Sequence, residues 1–294
     1  DDQARQYVLA ADNTTDNAGL VPTRQMAEVV NGLGTTIRPS IDAISRGTLP
    51  DAGMTFEIPK ITQMPTVAVT AEDGTPSDTD QNAAFITVDV KKFAGQQTFS
   101  VELLDRTSPA FFDELIRNMA AAKAKAENAY VNGLLISGAT LDGTTTTTYP
   151  TAAELLGIIS RGAASVYAAT AGLPRPFAKS LIASTGQWAN LMTLNDSGRP
   201  IYNASQPSNA GGVVRPDSLV GNVAGLDLFV DPTNAGDGDG TLLVVNPDAY
   251  TWYEGPTFRL RADVIASGQI TVGYYGYGAL ATKIAAGAFK NNKA

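Results

Sequence analysis

The chain has 294 residues, 44% hydrophobic and 17% charged, which is long enough for one or two domains with a buried core. It contains no Cys and no His, which excludes disulfides, thiolate nucleophiles, a Ser–His–Asp triad and imidazole-ligated zinc. Its formal net charge of −8 does not favour electrostatic binding of phosphate groups. No run of residues is apolar enough to predict a membrane span. Composition therefore favours a binding or structural protein over an enzyme.

Residues 1–52 are predicted to form an N-terminal arm with a short helix. Residues 1–20 are rich in Asp, Asn, Thr and Ala and have little capacity to fold alone. Four apolar residues then follow with the i, i+3, i+4, i+7 spacing of an amphipathic helix, namely Met26, Val29, Val30 and Leu33. Glycines at positions 32 and 34 are expected to end this helix.

Residues 53–95 are predicted to form a long β-hairpin. Apolar residues alternate with period two on both sides of an acidic turn, at Met54, Phe56, Ile58, Val67 and Val69 and then at Ile86, Val88 and Val90. With a dozen or more residues per strand, at about 3.3 Å each, the hairpin would reach about 40 Å. A two-stranded ribbon is only marginally stable in water, so we expect it to lie on a neighbouring subunit.

The tip of this hairpin is strongly acidic. Its candidate inter-subunit contacts are Glu72, Asp73, Asp78 and Asp80, and no Lys or Arg occurs between positions 61 and 90. The charges are consistent with two interpretations. They either keep an exposed loop soluble and resistant to edge aggregation, or select a basic patch on a neighbouring subunit.

Residues 96–150 are predicted to form a first domain built on one long helix, 109–136. Ser108 as N-cap and Pro109 at N1 form a strong helix start, and Gly138 is a plausible stop. At 1.5 Å per residue, this spine helix is about 40 Å long. The alternation of Phe99, Val101 and Leu103 before it predicts a strand.

Residues 151–255 are predicted to form a second domain. Capping boxes at Thr151–Glu154 and Ser184–Gln187 each begin a helix, and buried strands are expected at 179–183, 226–230 and 242–245. A last strand-rich segment, 257–289, returns to both domains, with 256–272 completing the first and 273–294 the second. The irregular mixture of strands and helices predicts an α+β fold.

Three patterns that can indicate chemistry are weak here. The run from Gly276 to Ala281 fits G-x-G-x-x-A but lacks the following acidic residue of a dinucleotide site. Asp231, Asp237 and Asp239 do not have calcium-loop spacing, and Glu102 with Asp105 is only a nominal glycosidase pair. We predict no catalytic residues, no cofactor and no metal.

The order of elements resembles the major capsid proteins of tailed bacteriophages, which share the Hong Kong 97-like fold. The resemblance covers nearly the whole chain and rests on segments 17–22, 54–59, 108–133, 191–200, 270–273 and 283–289. Segment 191–200 contains Leu194-Asn195-Asp196-Ser197-Gly198-Arg199-Pro200, which is similar to a turn of that family. No single motif is diagnostic, but their order and spacing together are specific.

The resemblance implies an N-terminal arm, an extended loop, a peripheral domain with the spine helix, and an axial domain. It also implies homopentamers and homohexamers that form an icosahedral shell around packaged double-stranded DNA, in a virion capsid assembled in the host cytoplasm. Expected partners during assembly are a portal, a scaffold or a maturation protease, with decoration proteins in some members. A first residue of Asp1 fits the removal of an N-terminal scaffolding segment.

Some members of that family crosslink subunits through an isopeptide bond between a loop Lys and an Asn on a late strand. Here the loop lysines flank its base, at Lys60, Lys91 and Lys92, and no Asn occurs between positions 249 and 290. We therefore expect no such crosslink. An encapsulin-type nanocompartment shell is a close alternative function, and a carboxylate-based glycosidase or carbohydrate-binding protein is a more distant one.

Overall fold

The computed structural model describes residues 37–106, 110–196, 199–204, 220–234, 240–264 and 268–293. In chain order, the elements are α1 (Pro39–Asp42), β1 (Ser45–Thr48), β2 (Thr55–Gln63), β3 (Asn82–Asp89), β4 (Lys91–Ser100), α2 (Val101–Arg106), α3 (Ala110–Gly138), β5 (Thr140–Leu141), α4 (Ala152–Thr170), β6 (Ser180–Ser184), α5 (Thr185–Thr193), β7 (Asn195–Asp196), β8 (Arg199–Pro200), β9 (Tyr202–Ala204), β10 (Val220–Val223), β11 (Leu226–Asp231), β12 (Leu242–Val245), β13 (Tyr250–Val264), β14 (Gln269–Thr282) and β15 (Ala288–Lys290). Residues 1–36 of the predicted arm, which include its predicted short helix, lie outside the described residues, as do Ser108 and Pro109.

A four-stranded sheet and the spine helix α3 form one half of the molecule. The strands have the order β1-β13-β14-β4, and β13 and β14 form a long antiparallel hairpin. Burial alternates along β14, so Ile270 and Val272 face the spine helix, where they pack with Leu115 and Ile116. The opposite face of this sheet is the one that the hairpin β2–β3 partly covers.

A seven-stranded sheet forms the other half. Its order is β5-β15-β12-β6-β11-β10-β9, with β6 parallel to β11 and antiparallel to β12. Every residue of β6 and β12 is buried, which explains why these short apolar runs were recognisable in the sequence. Helices α4 and α5 pack on this sheet through Leu155, Ile158 and Leu191. The predicted α+β class and the strands at 226–230 and 242–245 are confirmed.

The chain crosses from one sheet to the other more than once. Strand β5 follows the spine helix yet pairs in parallel with β15 in the seven-stranded sheet. Strands β13 and β14 both lie entirely in the four-stranded sheet, so the chain returns to the other sheet after Thr282, later than the predicted division near 272. The halves are therefore not independent along the sequence, and the chain passes between them several times.

The spine helix has 29 residues and is about 43 Å long at 1.5 Å per residue. Val131 and Leu135 continue its buried stripe into the core that the two sheets share. Ala126, which the periodicity placed on the buried stripe, is exposed instead. Gly138 is the last helical residue, so the helix continues slightly beyond its predicted end.

Two local predictions are corrected by nearby hydrogen bonds. Val101 and Leu103 belong to helix α2 rather than to a strand, because the Ser100 hydroxyl accepts the Leu103 N–H at 3.3 Å and caps a helical turn. The capping box at Ser184 is only half formed: its hydroxyl accepts the Gln187 N–H, but its own N–H donates to the Thr241 carbonyl in the sheet. At Thr151 the Glu154 carboxylate accepts both the N–H and the hydroxyl of Thr151, so the bond back to the N-cap N–H that Ser184 lacks is present there.

The joint between the halves is organised by the fully buried carboxylate of Asp231. One of its oxygens, Oδ2, accepts hydrogen bonds from the Ser40 hydroxyl and from the side-chain amides of Asn128 (2.8 Å) and Asn132 (2.9 Å) on the spine helix. The other, Oδ1, accepts the backbone N–H of Thr233 at 2.8 Å. Asp231 ends strand β11, so this one side chain ties helix α1 and the spine helix to the seven-stranded sheet.

A second buried carboxylate holds the threonine-rich connection, residues 142–150. Asp142 accepts Nε and Nη2 of Arg161 at 3.2 and 2.7 Å, and the N–H groups of Thr144 and Thr145. Burial opposes ionisation of Asp142, but the hydrogen bonds and charge of Arg161 together with the N–H groups of Thr144 and Thr145 outweigh it and hold the pKa of this carboxyl below its ordinary value. The connection is therefore fixed to helix α4.

We expect Asp231→Asn to lower the free energy of unfolding by about 2–3 kcal/mol, because an amide NH₂ then faces donors that a carboxylate oxygen accepted. Urea denaturation measures the change. Asp227→Asn is the matched control, since Asp227 lies on the same strand, is half exposed and is 3.7 Å from Lys179. It should change stability by less than about 0.5 kcal/mol. Equal effects of the two substitutions would show that the joint is not a fixed point of the fold.

Arg161→Gln removes the guanidinium that lowers the pKa of Asp142. A carboxyl whose folded pKa is below its unfolded value, about 3.9, stabilises the fold above that value and loses the contribution as pH falls through the folded pKa. At neutral pH, we expect the free energy of unfolding of the wild type to exceed that of R161Q by about 1 kcal/mol. The difference is small because Arg161 is partly exposed. Thermal unfolding from about pH 7 to about pH 3 should show the gap closing in acid; a constant gap contradicts this account.

Candidate functional site

The motifs that could have indicated chemistry do not form a reactive centre in the described part of the chain. Gly276 to Ala281 lie within strand β14 with no helix after them, and a Cβ at Gly278 would be 2.4 Å from the Trp252 ring, so this glycine makes room for an indole. Glu102 is exposed on helix α2, and Asp231 is committed to the joint. Asp237 and Asp239 lie outside the described residues.

Among the described residues, no group of three or more Asp and Glu side chains could hold a metal ion. No helix in that part of the chain is long and apolar enough to cross a membrane. The features that remain are surfaces, and three of them stand out. They are the loop beyond the hairpin, the uncovered part of the four-stranded sheet, and the place where the arm joins the body.

The hairpin is anchored at its base and projects beyond it. Strands β2 and β3 pair from Thr55 opposite Asp89 to Gln63 opposite Asn82. At the base, Phe56 contacts Tyr253 edge to face with ring centroids 5.0 Å apart, and Val88 is buried against strand β14. The strands have nine and eight residues, fewer than the dozen considered from the sequence.

Residues 64–81, the loop tip, continue from this hairpin without regular strand pairing. The Ser77 hydroxyl donates to the Thr66 carbonyl at 2.7 Å and ties the two sides together. The Gly74 N–H donates to the Ala71 carbonyl at 2.9 Å, which closes a turn in which Asp73 has a φ of 64°. The loop tip therefore has a defined conformation, held by these hydrogen bonds, and projects from the body of the subunit.

The four predicted contact residues all lie on the surface of the loop tip. Glu72 and Asp73 share the terminal turn, whereas Asp78 and Asp80 lie on the returning side. All four carboxylates are exposed, and within the described residues none is paired with a cation. The structure thus brings two of them together and leaves all four available to another molecule.

The same loop exposes apolar side chains. Val67 and Val69 have exposed fractions of 95% and 104%, and Met64 of 70%. Phe85, on strand β3, is also exposed. A surface that combines free carboxylates with fully exposed valines is unfavourable in an isolated subunit and is typical of an interaction site.

The open face, defined by Lys92, Gln96, Phe258, Leu260 and Tyr275, is the part of the four-stranded sheet that the hairpin does not cover. Phe258 and Tyr275 stack with centroids 5.2 Å apart, and the Lys92 ammonium is 4.9 Å from the Tyr275 ring centroid. Leu260 and Phe258 are exposed. Lys92 is exposed and supplies the positive charge of this face, whereas Lys91 and Arg259, opposite Gly278 and Tyr274, belong to the other face of the sheet.

Sequence reasoning missed the open face. The alternation of Phe258 with Leu260 and of Tyr275 with Tyr277 is a signal for strands, but it does not indicate which face of them stays uncovered. Which face of a strand is covered depends on its partners, and the register Phe258 opposite Tyr275 is a property of the sheet.

The arm joins the body at a network of two cations and two carboxylates. Arg38 Nη1 is 2.9 Å from Oε2 of Glu127 on the spine helix and 2.9 Å from Oε1 of Glu254 on strand β13. Lys123 Nζ is 2.7 Å from Glu127 Oε1. Burial opposes the charge of Arg38, but the hydrogen bonds and charges of Glu254 and Glu127 raise the pKa of its guanidinium. The arm is therefore fixed to the spine helix at this point.

Comparison with known proteins places these surfaces in context. The sequence model of the phage capsid family matches residues 17–291. No curated protein sequence matches the chain significantly. Solved structures with the same fold come from Microbacterium phage Oxtober96, at 13% identity and a TM-score of 0.70, and Mycobacterium phage Bobi, at 14% and 0.69.

The Oxtober96 match covers 97% of this chain and 100% of that chain, and the Bobi match 97% and 99%. A third similar structure is the capsid of a native GTA particle computed with C5 symmetry, at 14% identity and a TM-score of 0.71, covering 96% and 99%. The agreement extends along the whole chain, and with the match of the family model it shows that this chain belongs to the phage capsid family.

Proposed function

We propose that copies of this chain assemble as pentamers and hexamers into a shell that encloses packaged double-stranded DNA. As a member of the phage capsid family, the chain is a major capsid protein, and copies of it form the icosahedral capsid of a virion. The observation that carries the proposal is the presence, on one subunit, of an acidic apolar loop tip and a basic aromatic open face that do not cover each other.

The loop tip of one subunit lies on the open face of the next. Val67 and Val69 supply apolar surface for Phe258 and Leu260, which are exposed in the single subunit. The free carboxylates of the tip face Lys92 on the open face, so electrostatics sets the orientation. A contact between two different patches of the same chain is heterologous, and repeated contacts of this kind close into rings.

The net negative charge of the chain is compatible with a shell that encloses duplex DNA. With 29 acidic and 21 basic residues, subunits hold duplex DNA weakly and without sequence preference. Assembly in the host cytoplasm with a portal, a scaffold or a maturation protease, and later binding of decoration proteins, belong to the same proposal. We infer that the chain performs no catalytic step, and the lack of Cys and His supports that inference.

We expect the double substitution of Asp73→Lys and Asp78→Lys to reduce particle yield at least ten-fold at low salt while leaving the thermal unfolding of the subunit unchanged. The reversed charges repel Lys92 on the open face, and the exposure of Asp73 and Asp78 in the subunit makes their substitution neutral for folding. Particle yield is measured by sedimentation of the assembled fraction.

The matched control reverses two exposed acids on helices α2 and α3, Glu102→Lys and Asp113→Lys, with the same change in net charge. Adding Lys92→Glu to the loop variant should recover at least part of the lost yield, because opposite charges face each other again. Equal losses in control and loop variants, or no recovery in the combined variant, would contradict the pairing of loop tip and open face.

We expect light scattering of purified wild-type material to show megadalton particles that contain nuclease-protected duplex DNA. Particles filled with protein cargo would support the encapsulin alternative, and a stable monomer of 30.7 kDa would contradict any shell.

The same particles should give a single monomer band on a denaturing gel, because the loop lysines lie only at the base of the hairpin. A ladder of covalent multimers would contradict the predicted lack of isopeptide crosslinks.

A further inference from the structure

The terminal turn of the loop tip contains an Asp-Gly pair, Asp73-Gly74, and the described residues contain another at Asp142-Gly143. In such a pair the backbone nitrogen after the Asp can attack the carboxyl carbon of the Asp side chain and close a succinimide ring. Glycine permits this attack best, because it has no Cβ beside the attacking nitrogen. The two pairs have opposite surroundings in this fold, so we expect opposite reactivity.

The carboxyl group of Asp73 is free to move. Asp73 and Gly74 are both exposed, and within the described residues no donor or cation contacts the Asp73 carboxylate. One backbone hydrogen bond closes the turn, from the Gly74 N–H to the Ala71 carbonyl at 2.9 Å. When this bond opens, the Gly74 nitrogen is released, and the exposed side chain can rotate toward it without displacing any packed group.

The shape of the turn requires both residues of the pair. Asp73 has a φ of 64°, in the left-handed region that Asp tolerates better than most residues. A Cβ at position 74 would lie 3.0 Å from the Ala71 carbonyl oxygen and 2.9 Å from Thr70 Cγ2, so a larger residue would deform the turn. The residues that suit this turn are therefore also the pair most susceptible to ring closure.

Asp142 differs from Asp73 in every one of these respects. Its side chain is buried, and its oxygens accept hydrogen bonds from the Arg161 guanidinium and from two backbone N–H groups. Ring closure consumes the protonated carboxyl, because one carboxyl oxygen leaves as water, and the lowered pKa of Asp142 disfavours that form. Asp142-Gly143 is therefore an internal control in the same chain.

We propose that Asp73 is a site of spontaneous isomerisation in the unassembled subunit, and that the open face of a neighbour protects it in the shell. The Gly74 nitrogen bonds to Asp73 Cγ, the Cγ–OH bond breaks, and the hydroxyl leaves with the amide proton as water. Water then opens the ring at either carbonyl. Attack at Cγ restores Asp, whereas attack at the main-chain carbonyl gives isoaspartate. The isomerisation concerns the single subunit, and only the protection rests on the proposed function.

Isomerisation changes the shape of the loop tip without changing its charge. The main chain then runs through Cβ and Cγ of the residue and gains one methylene group, while a free carboxylate remains. The terminal turn is lost, and the loop tip no longer presents its valines and carboxylates in the arrangement that fits the open face. Subunits that assemble promptly escape this change, and subunits that stay free lose the capacity to assemble with time.

Incubation in heavy-oxygen water detects the reaction, because each ring opening adds one labelled oxygen. Unassembled wild-type subunits at neutral pH should incorporate label at Asp73 at least ten-fold faster than at Asp142, as located by peptide mass spectrometry. Asp73→Glu is the matched control, since it keeps the charge but its longer side chain cannot form the succinimide ring. Equal labelling at Asp73 and Asp142, or equal labelling at position 73 in D73E and wild type, would overturn the proposal.

The same label separates this inference from the proposed function. Assembled particles should label at Asp73 at least five-fold more slowly than free subunits, because the open face of the neighbour restricts the loop tip. Equal rates would overturn the protection and contradict the pairing of loop tip and open face, whereas the isomerisation is decided by the free subunit alone.

Ageing of free subunits tests the consequence for assembly. Prolonged incubation before assembly should lower the particle yield of wild type at least two-fold, and that of D73E by less, each compared with its own fresh sample. An equal loss in the two proteins would overturn the link between isomerisation and assembly.

Discussion

The two halves of this subunit are held together at one buried carboxylate, and their relative orientation depends on it. Asp231 is removed from water, and an ionised group in that environment is tolerated only when donors surround it. Those donors come from residues that are far away in sequence, Ser40, Asn128 and Asn132, so the carboxylate gathers helix α1, the spine helix and strand β11 at one point. Moving any one of these elements leaves a buried polar group unpaired, and the angle between the two sheets is therefore fixed.

A fixed joint matters because the loop tip and the open face both belong to the four-stranded half, so the joint sets how the seven-stranded half is oriented relative to them. In a closed shell each subunit must present its patches at a constant angle, since heterologous contacts close only at a defined rotation. Individual exposed ion pairs contribute about 1 kcal/mol or less. The shell is therefore stable because many weak contacts act together between rigid units, and not because any one of them is strong.

Local sequence patterns predicted the elements whose residues all have the same kind of environment, or whose defining contacts join residues that are close in sequence. Strands such as Leu242–Val245 are buried on both faces, so a plain apolar run was sufficient. Helix α4 was recognisable from Thr151 and Glu154, which are neighbours in sequence. The loop-tip acids were recognisable because exposure of consecutive charged residues needs no knowledge of the fold.

What the sequence could not reveal depends on distant pairings. The role of Asp231 requires its three partners, and a sequence pattern only suggested a doubtful metal ligand. The half-formed box at Ser184 follows from a sheet bond to Thr241 that no local rule contains. Likewise the open face exists because β13 and β14 pair in one register and because the hairpin base covers only one end of them.

One end of the four-stranded sheet is covered by the hairpin of the same subunit, and the other end is not. At the base of the hairpin, Phe56 meets Tyr253 edge to face, and Val88 is buried on strand β14 within the same subunit. Farther along the same face, Phe258 and Tyr275 present aromatic surface of the same kind with no hairpin above them. The loop tip carries Val67 and Val69 beyond the reach of its own sheet. A neighbour's loop tip would continue, between subunits, the packing that each hairpin base already makes within one, so a single mode of contact serves both folding and assembly.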